Sequence, residues 1–362
     1  MSFLLIGIHV TIVFLLIVSF WLYCYITVKF SAAVGFSVTK LYFCTMYVWR
    51  RGSVSPMPTV ARQELITYIH DLFMKKLSLL LVGLLMAFTM DAQELTVATY
   101  NIRNNSGRGD YGHFDGWDQR KEAMCAEINF MSPDLLGCEE VLHGQVVDML
   151  ALMPEYGFIG VGRDDGKQGG EYSPIFYKKS RLKLLKQGHF WLAEDPTKPK
   201  LGWDAACVRI CTWGYFQDML TKRKFYYFNT HMDHIGVVAR REGAKLIMKK
   251  MKQMLKPHET VLLSGDFNVD QRDEIYTIFS QSNLLKDSYA NAKYRFAPRG
   301  TFNDFNPDSY TDSRIDHVFV SKQVKVMRYG ILNDTDWRKG ADGKMVRHVL
   351  SDHYPVFVKV IL

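Results

Sequence analysis

After Gln93 the chain alternates short apolar segments with amphipathic ones, and this alternation limits the folds open to it more than any other feature. Glycine, aspartate and asparagine mark the turns between segments. Seven segments are predicted to be strands: Leu95–Ile102, Asp134–Val141, Pro174–Tyr177, Phe225–Thr230, Thr260–Ser264, Ile315–Val320 and Val356–Ile361. Two are predicted to be helices, Trp117–Phe130 and Val237–Met254. Because strands and helices interleave while some neighbouring strands look hairpin-linked, we predict a mixed β-sheet in an α/β fold.

Several predicted strands end in acidic, amide or imidazole side chains, and residues of the same types lie next to other predicted strands. These residues are Asn101, Glu140, His231, Asp266, Asn268, Asp316, Asp352 and His353. A strand end projects its side chain into a crevice from a rigid support, which is where α/β enzymes collect catalytic groups. The set contains carboxylates and amides without clustered cysteines or three neighbouring histidines. It therefore favours a hard cation, Mg²⁺ or Mn²⁺, over zinc.

The order of these motifs resembles that of the endonuclease/exonuclease/phosphatase superfamily. The motifs are Thr-Tyr-Asn-Ile-Arg, Cys-Glu-Glu-Val, Asn-Thr-His-Met-Asp-His, Ser-Gly-Asp-Phe-Asn, Arg-Ile-Asp-His and Ser-Asp-His-Tyr-Pro-Val. Each one occurs by chance in many proteins, whereas the ordered set over residues 95–362 is specific. The resemblance implies a DNase I-like fold of the α/β (α+β) class. Such a fold is a four-layer sandwich of two packed mixed β-sheets flanked by helices, with the site at one end.

For the metal site, the resemblance implies three ligands. Glu140 corresponds to the principal ligand, with Asn101 beside it and Asp352 completing the outer sphere. The preceding residue is Glu139, where the superfamily often has glutamine, so the assignment of Glu140 rests on alignment to the following Val141. We predict that Glu139 has a structural role.

For the histidines, the resemblance implies two imidazole–carboxylate pairs. His353 corresponds to the imidazole that contacts the scissile phosphate, and Asp316 would hold it. His231 together with Glu171 matches the second pair found in DNase I-like members. A carboxylate behind a histidine fixes its tautomer and raises its pKa, which favours the cationic form that binds phosphate.

The remaining site residues concern the attacking water and the phosphate. The resemblance implies that Asp266 orients or deprotonates the water and that Asn268 hydrogen-bonds a phosphate oxygen; alone, the two would more simply form a turn. The segment Gly202–Arg209 resembles a motif in a bacterial branch of the superfamily and places Arg209 on a strand entering the site. Its guanidinium could bind a second phosphate or form a surface ion pair. Cys207 and Cys211 are predicted to be buried strand residues, with a disulfide as the alternative.

Charge limits the class of partner. Of the formal net charge of +8, residues 1–92 account for half, so the remainder is only mildly basic. This suits a polyanionic substrate but is far from the charge of a nucleic-acid coat protein. The substrate class stays open among nucleic acid, nucleotide and phosphorylated small molecule, and we expect a monomer.

Three functions compete. The leading one is a Mg²⁺- or Mn²⁺-dependent phosphoesterase that hydrolyses phosphodiester or phosphomonoester bonds by in-line attack of a water at the metal site. A sphingomyelinase-like phospholipase C shares the implied fold and metal site, but it needs an exposed apolar hairpin that Gly188–Asp204 does not clearly supply. A non-enzymatic module on an inactive scaffold would require a broken site, and no site position is missing.

Two apolar segments precede the catalytic region. Phe3–Val28 is uncharged and long enough to span a bilayer. Leu77–Met90 is shorter and follows Met-Lys-Lys, so residues 74–92 are typical of a signal peptide. We predict that residues 1–73 are a non-native or membrane-associated extension and that residues 93–362 form the exported catalytic domain, periplasmic or secreted. Membrane contact is expected only through the N-terminal apolar segments, as an anchor if residues 1–73 are translated.

Overall fold

The computed structural model describes residues 71–80, 94–105, 116–333, 335–340 and 342–362. The chain divides into two compact units, Met1–Leu84 and Leu85–Leu362. Within the first unit the described residues 71–80 are helical. None of the helices in these ranges is both long and apolar enough to cross a membrane. The apolar span 3–28 and most of the predicted signal peptide lie outside the described residues.

Fifteen strands are described in the second unit. They are β1 (Glu94–Asn101), β2 (Leu135–Glu139), β3 (Tyr156–Ile159), β4 (Ile175–Lys178), β5 (Leu182–Trp191), β6 (Ile210–Asp218), β7 (Lys224–His231), β8 (Thr260–Asp266), β9 (Leu285–Asp287), β10 (Ala292–Phe296), β11 (Asp316–Ser321), β12 (Lys325–Ile331), β13 (Asp336–Lys339), β14 (Met345–His348) and β15 (Val356–Ile361). The described helices of this unit are α1 (Trp117–Met131), α2 (His143–Leu152), α3 (Val237–Met254), α4 (Glu274–Ser280) and α5 (Ser288–Asn291). Every predicted strand and helix is therefore present within a few residues of its predicted bounds.

Two mixed sheets and a small hairpin sheet contain these strands. The first sheet has the order β10-β12-β15-β1-β2-β4-β3, the second has the order β5-β6-β7-β8-β11-β9, and β13 pairs with β14 alone. Strands β1 and β2 run parallel, as do β7 and β8. Strands β15, β11 and β6 run antiparallel to β1, β8 and β7 respectively. The ends of the parallel strands and the starts of these antiparallel neighbours therefore lie on the same side of each sheet.

The alternation of side chains along the strands explains the four layers. In β1, Val97 packs into the core between the sheets, and Ala98 packs on the opposite face with residues of α1 and α2. In β7, Tyr227 packs between the sheets, and Phe228 packs against residues of α3 and α4. Successive side chains point to opposite faces of a strand. One set is therefore buried between the sheets, and the other set is buried under the helices. The predicted four-layer sandwich is confirmed.

A buried polar network joins the two sheets below the cavity edge. Asn229 Nδ2 on β7 donates to the backbone oxygen of Cys138 on β2 at 2.8 Å. Ser264 Oγ on β8 donates to Asn229 Oδ1 at 2.7 Å and lies 2.6 Å from the Tyr227 hydroxyl. Gly137 on β2 faces this network, and a Cβ atom there would lie 2.2 Å from Asn229 Oδ1. The close approach of the sheets therefore requires glycine at this position.

The strand prediction for the two cysteines is half right. Cys211 is buried on β6, whereas Cys207 is partly exposed and lies before that strand begins. Both thiols are free. Arg209 likewise precedes β6 by one residue, in the loop that leads into the strand.

Candidate active site

A cavity of about 910 Å³ opens at the edge where the parallel strands end. Eight of the predicted site residues line it: Glu140, Glu171, Arg209, His231, Asp266, Asn268, Asp352 and His353. The other two, Asn101 and Asp316, lie directly behind the lining and hydrogen-bond to it. The structure therefore brings the whole predicted set together from both sheets.

The Glu140 and Asp352 carboxylates form an acidic corner of this cavity. The Arg103 guanidinium stands between them, with Nη1 3.6 Å from Glu140 Oε2 and 3.5 Å from Asp352 Oδ2. Burial raises the pKa of Asp352, and the nearby charge of Glu140 adds to this. Two buried carboxylates that already attract a cationic side chain provide the oxygen ligands that a hard divalent cation prefers. The residues at this corner therefore fit such an ion.

Glu139 and Glu140 are adjacent in sequence but occupy different environments. Glu140 has φ 61° and turns toward the cavity, where Asn104 donates to it through Nδ2 at 2.8 Å. Glu139 is fully buried on β2 and accepts a hydrogen bond from Thr99 Oγ1 at 2.9 Å. A left-handed conformation at a non-glycine residue is uncommon and costs energy, and such residues are found in tight turns and at active sites. The geometry thus favours Glu140, and not Glu139, as the metal ligand.

Asn101 connects this acidic corner with the rest of the site. Its Nδ2 donates to Glu140 Oε1 at 3.1 Å and to Asp266 Oδ2 at 3.0 Å. Its Oδ1 accepts from the backbone N–H of Arg103 at 3.1 Å. In this arrangement the amide orients two carboxylates, and rotation of the amide would be needed to present its oxygen to a metal.

His353 forms the predicted pair with Asp316. Nδ1 lies 2.9 Å from Asp316 Oδ2, and Nε2 lies 3.7 Å from Asp266 Oδ2. Burial acts to lower the pKa of His353, but the charges of Asp316 and Asp266 outweigh it and raise this pKa well above its usual value. The imidazole is therefore cationic at neutral pH. Asp266, Asp316 and His353 can also bring one ligand atom each within 4.8 Å of one another, but a protonated imidazole has no free lone pair, so this group does not hold a cation while His353 is charged.

Asp266 is a carboxylate with an unusual protonation equilibrium. Burial and the charge of Asp316 raise its pKa to about 7, against the opposing effects of His353 and of hydrogen bonds from Asn268 and Asn101. Its Oδ1 accepts from the Asn268 backbone N–H at 2.9 Å. A carboxylate that titrates near neutral pH can accept and return a proton under ordinary conditions.

The predicted pair between His231 and Glu171 is wrong. His231 Nδ1 has no hydrogen-bond partner among the described residues. Glu171 instead contacts Arg163 Nη1 at 2.5 Å and Asn104 Nδ2 at 3.1 Å. Burial and the charges of Arg209 and Arg163 hold the pKa of His231 well below its usual value, so the predicted cationic form is wrong as well.

Arg209 is buried beside the cavity and is not a surface residue. Its Nε lies 3.4 Å from Asp233 Oδ2, and its Nη2 donates to His234 Nδ1 at 3.0 Å. Backbone N–H groups, among them those of Ala206 and Gly236, also donate to Asp233. Against the effect of burial, these hydrogen bonds lower the Asp233 pKa to about 2. Asp233, His234 and Cys207 lie close enough to share a cation, but the lone pairs of Asp233 are already used.

Comparison with known proteins identifies the family. A model of the endonuclease/exonuclease/phosphatase family matches residues 98–353. The chain belongs to this family. As a family member it is a phosphoesterase of the nuclease or phosphatase class.

Solved structures of the family resemble it to different degrees. A mannosyl-6-phosphatase from Bacteroides thetaiotaomicron is 44% identical, with 74% of this chain and 100% of that chain covered and a TM-score of 0.72. A family protein from Bacteroides vulgatus is 36% identical, with 74% and 99% covered and a TM-score of 0.66. D. rerio TDP2, solved with a single-stranded DNA product, is 16% identical, with 74% and 98% covered and a TM-score of 0.55, which shows the fold alone.

One curated protein shares a shorter stretch with this family member. Over 103 residues the chain is 30% identical to an uncharacterized protein of Acanthamoeba polyphaga mimivirus. The match covers 25% of this chain and 15% of that protein, so the chain spans only a small part of its length.

Several residues that line the cavity of this phosphoesterase were not singled out from the sequence, among them five that contact or face the site residues. Four come from loops: Arg103 and Asn104 follow β1, Arg163 precedes Glu171, and Phe302 packs edge-on against the His353 ring with centroids 5.1 Å apart. The fifth, Arg347, lies on the hairpin strand β14 and lines the cavity. Only the Asn-Ile-Arg motif at 101–103 pointed to any of them, since the arginine there follows the predicted strand end directly.

Proposed function

We propose that this chain is a divalent-metal-dependent phosphatase that hydrolyses phosphomonoesters of sugars, with mannose 6-phosphate as the first substrate to test. The observation that carries the proposal is the His353–Asp316 pair beside Asp266 and the acidic corner of Glu140 and Asp352. This arrangement supplies a cationic donor, a proton acceptor and a cation-binding corner within one cavity. Each of these elements can stabilise the transition state of phosphoryl transfer.

The metal corner would be formed by Glu140 and Asp352, with Asn101 beside them. A divalent cation there would supply positive charge that stabilises the oxygens of the phosphate in the transition state. The protein's own contribution is to hold the two carboxylates in place. The Asn104 and Asn101 amides achieve this for Glu140, and Ser351 Oγ donates to Asp352 Oδ1 at 3.2 Å.

The proton transfer from water is assigned to Asp266 and the phosphate contact to His353, while Asn268 Nδ2 contacts the Met232 carbonyl oxygen and His231 Nε2 and so holds the neighbouring imidazole. With a pKa of about 7, Asp266 takes a proton from water as the water oxygen attacks phosphorus and the ester P–O bond breaks. Protonated His353 donates to a phosphate oxygen, where negative charge develops. The departing sugar oxygen takes a proton from a solvent water and leaves as a hydroxyl group, and Asp266 gives the proton that it gained back to solvent. General acid–base assistance of this kind contributes roughly 10²–10⁴-fold to the rate.

Two features support a small monoester over a nucleic acid. The lining of the cavity includes Phe302 and Phe305 as well as Val346 and Arg347 of the β14 strand. Its volume of about 910 Å³ suits a small ligand. The 44% identity to the mannosyl-6-phosphatase extends over that whole chain, and its name supplies the sugar that we propose.

A substrate panel tests the proposal. The purified protein with Mg²⁺ is assayed on mannose 6-phosphate, p-nitrophenyl phosphate, bis(p-nitrophenyl) phosphate, a single-stranded oligonucleotide and sphingomyelin vesicles. We expect kcat/KM for mannose 6-phosphate to exceed that for each diester by about 10-fold or more. Faster turnover of the oligonucleotide would instead support a nuclease, and faster turnover of sphingomyelin a phospholipase C.

A further inference from the structure

A connecting segment, Gly300–Asn303, lies between the chain that enters β11 and the chain that enters β15. On one side, the Gly300 N–H donates to the Thr311 carbonyl oxygen at 2.5 Å, and the Thr301 N–H donates to that of Ser313 at 3.0 Å. A Cβ atom at Gly300 would lie 2.0 Å from the Ser313 oxygen, so this close approach requires glycine. The hydrogen bonds fix the connecting segment against the residues that lead into β11.

On its other side, the connecting segment pairs with the residues around His353. The Tyr354 N–H donates to the Thr301 carbonyl oxygen at 2.7 Å, and the Asn303 N–H donates to that of Asp352 at 2.8 Å. Between these two bonds an antiparallel β-bridge joins the segment to His353 itself. One short segment therefore holds the backbone on both sides of this imidazole.

The Thr301 side chain bonds to the start of β11. It is fully buried, and its Oγ1 accepts hydrogen bonds from the backbone N–H groups of Ile315 at 3.0 Å and of Asp316 at 3.1 Å. A hydroxyl oxygen has two lone pairs, and these two bonds use both. Because a buried N–H group without an acceptor is unfavourable, the start of β11 is held where this hydroxyl places it.

Pairing between strands does not fix Asp316 relative to His353. Among the described strands, β11 pairs with β8 and β9, whereas β15 pairs with β1 and β12. The two residues therefore lie at the starts of strands in separate ladders, and their contact depends on links between the sheets. Thr301 is such a link, because its side chain bonds to Asp316 and its carbonyl oxygen bonds to the residue after His353.

We propose that Thr301 is a positioning residue for hydrolysis of the phosphate ester, and that it sets the distance between the Asp316 carboxylate and the His353 imidazole. The inference rests on the roles that the proposed function gives to these two residues. Thr301 is fully buried, so it acts through this pair and not by contact with the substrate. A misplacement of a reacting group by about 1 Å can cost about 10²-fold in rate, so the anchor of the pair matters for catalysis.

The first test compares two substitutions of Thr301 in the hydrolysis of p-nitrophenyl phosphate. Thr301→Val keeps nearly the same shape but leaves the N–H groups of Ile315 and Asp316 without their acceptor. It should lower kcat by about 10-fold or more and leave KM within about 2-fold, because the pair acts in the transition state. Thr301→Ser keeps the hydroxyl oxygen, and its kcat should stay within about 3-fold of the wild type.

Ser321→Ala is the matched control for loss of a buried hydroxyl group. Ser321 ends β11, the strand that Asp316 begins, and its Oγ accepts from the Val261 N–H at 2.7 Å. The variant therefore loses the same kind of hydrogen bond at the opposite end of the same strand. Its Tm should fall as that of Thr301→Val does, while its kcat should equal that of the wild type.

A double-mutant cycle shows whether Thr301 acts through Asp316. In Asp316→Ala the carboxylate is absent, so its position no longer affects the imidazole. Thr301→Val should then lower kcat by less than about 3-fold, against about 10-fold or more in the wild-type background. If Thr301→Val fails to fold, Thr301→Cys takes its place in the cycle, because a thiol is only a weak acceptor. Thermal unfolding of each variant shows whether it is folded.

Three results would overturn the positioning role: a wild-type kcat in folded Thr301→Val, a loss in Thr301→Ser as large as in Thr301→Val, or an equal loss with and without the Asp316 carboxylate. Repeating the cycle with bis(p-nitrophenyl) phosphate separates this inference from the proposed function. A wild type that hydrolyses the diester faster than the monoester would overturn the proposed monoesterase. A cost of Thr301→Val that disappears in Asp316→Ala, on either ester, would support the positioning role.

Discussion

The Nδ1 atom of His353 lies 2.9 Å from Asp316 Oδ2, and this contact joins the two sheets within the active site. His353 precedes β15 of the first sheet, whereas Asp316 begins β11 of the second. Both side chains are buried, so water does not screen the interaction strongly. The aspartate keeps the imidazole protonated and directs Nε2 toward Asp266.

Replacing Asp316 by Asn should reveal this effect in the pH dependence of the reaction. The charges of Asp316 and Asp266 raise the pKa of His353, so the imidazole keeps its proton to higher pH than a free histidine does. Removing one charge lowers this pKa, and the alkaline limb of the kcat profile should move to lower pH, with kcat reduced about 10²-fold or more. Steady-state assays between pH 5 and pH 10 measure both. Asp312→Asn, at an exposed aspartate, is the control, and an unmoved alkaline limb in Asp316→Asn would exclude the role.

The adjacent glutamates 139 and 140 allow a matched test of metal binding. Mg²⁺ or Mn²⁺ should raise the Tm of the wild type and of Glu139→Gln, and EDTA should reverse the rise. Glu140→Gln should lose both this rise and nearly all activity, because Glu140 faces the acidic corner and Glu139 does not. Differential scanning fluorimetry and phosphate release measure the two effects. Turnover that persists in excess EDTA would refute metal dependence.

The burial of Glu139 leads to a prediction about stability. Burial, together with the charges of Asp316 and Asp266, raises its pKa well above the usual value. In the unfolded chain Glu139 ionises near pH 4.3, whereas in the folded chain it stays protonated to higher pH. The free energy of unfolding therefore falls as the pH rises above that value. Glu139→Gln should therefore match the wild type near pH 4 and be more stable by about 1–3 kcal/mol at pH 8. Urea unfolding in EDTA at both pH values measures the difference, and an equal difference at both would contradict the assignment.

The contact between the sheets predicts the effect of a single methyl group. Gly137→Ala places a Cβ atom 2.2 Å from Asn229 Oδ1 and 2.6 Å from Ser264 Oγ, inside a buried hydrogen-bonded network. We expect a loss of about 1–3 kcal/mol in the free energy of unfolding. Gly144→Ala on α2 is the control, since its Cβ meets nothing within 4 Å, and it should change stability by less than about 1 kcal/mol. Similar unfolding midpoints for the two variants would show that the network yields without cost.

Strands in the interior of a sheet could be predicted from their apolar residues, whereas some strands at an edge could not. Strands such as β1 and β7 are buried on both faces, and their middle residues are mostly apolar or aromatic. Strand β5 was missed because it lies at the edge of its sheet, where Lys183 and Lys186 stand among its residues. The sequence does not indicate the hairpin β13–β14 for a similar reason. Trp337, Met345 and Val346 are exposed, so apolar residues do not alternate with polar ones as they do in a half-buried strand.

The site was predictable in its residues but not in all of its pairings. The chain itself supplies Asp316 and His353 at strand starts that meet in space, and their contact follows from the antiparallel order of the strands. The partner of Glu171 could not be inferred in the same way, because Arg163 reaches it from a loop whose shape the sequence does not reveal. Resemblance to a family predicts which residues belong to the site more safely than it predicts which of them form pairs.

Because the site is divided between two sheets, catalysis depends on how accurately the two sheets are aligned. Asn101 ends β1 and Glu140 directly follows β2 of one sheet, while His231, Asp266 and Asp316 belong to the other, so a slip of one sheet against the other by about 1 Å separates the reacting groups. Each sheet could keep its own hydrogen-bonded ladder through such a slip. Catalysis would then stop before any spectroscopic sign of unfolding, and the hydrogen bond from Asn229 Nδ2 to the Cys138 backbone oxygen is one of the contacts that oppose such a slip.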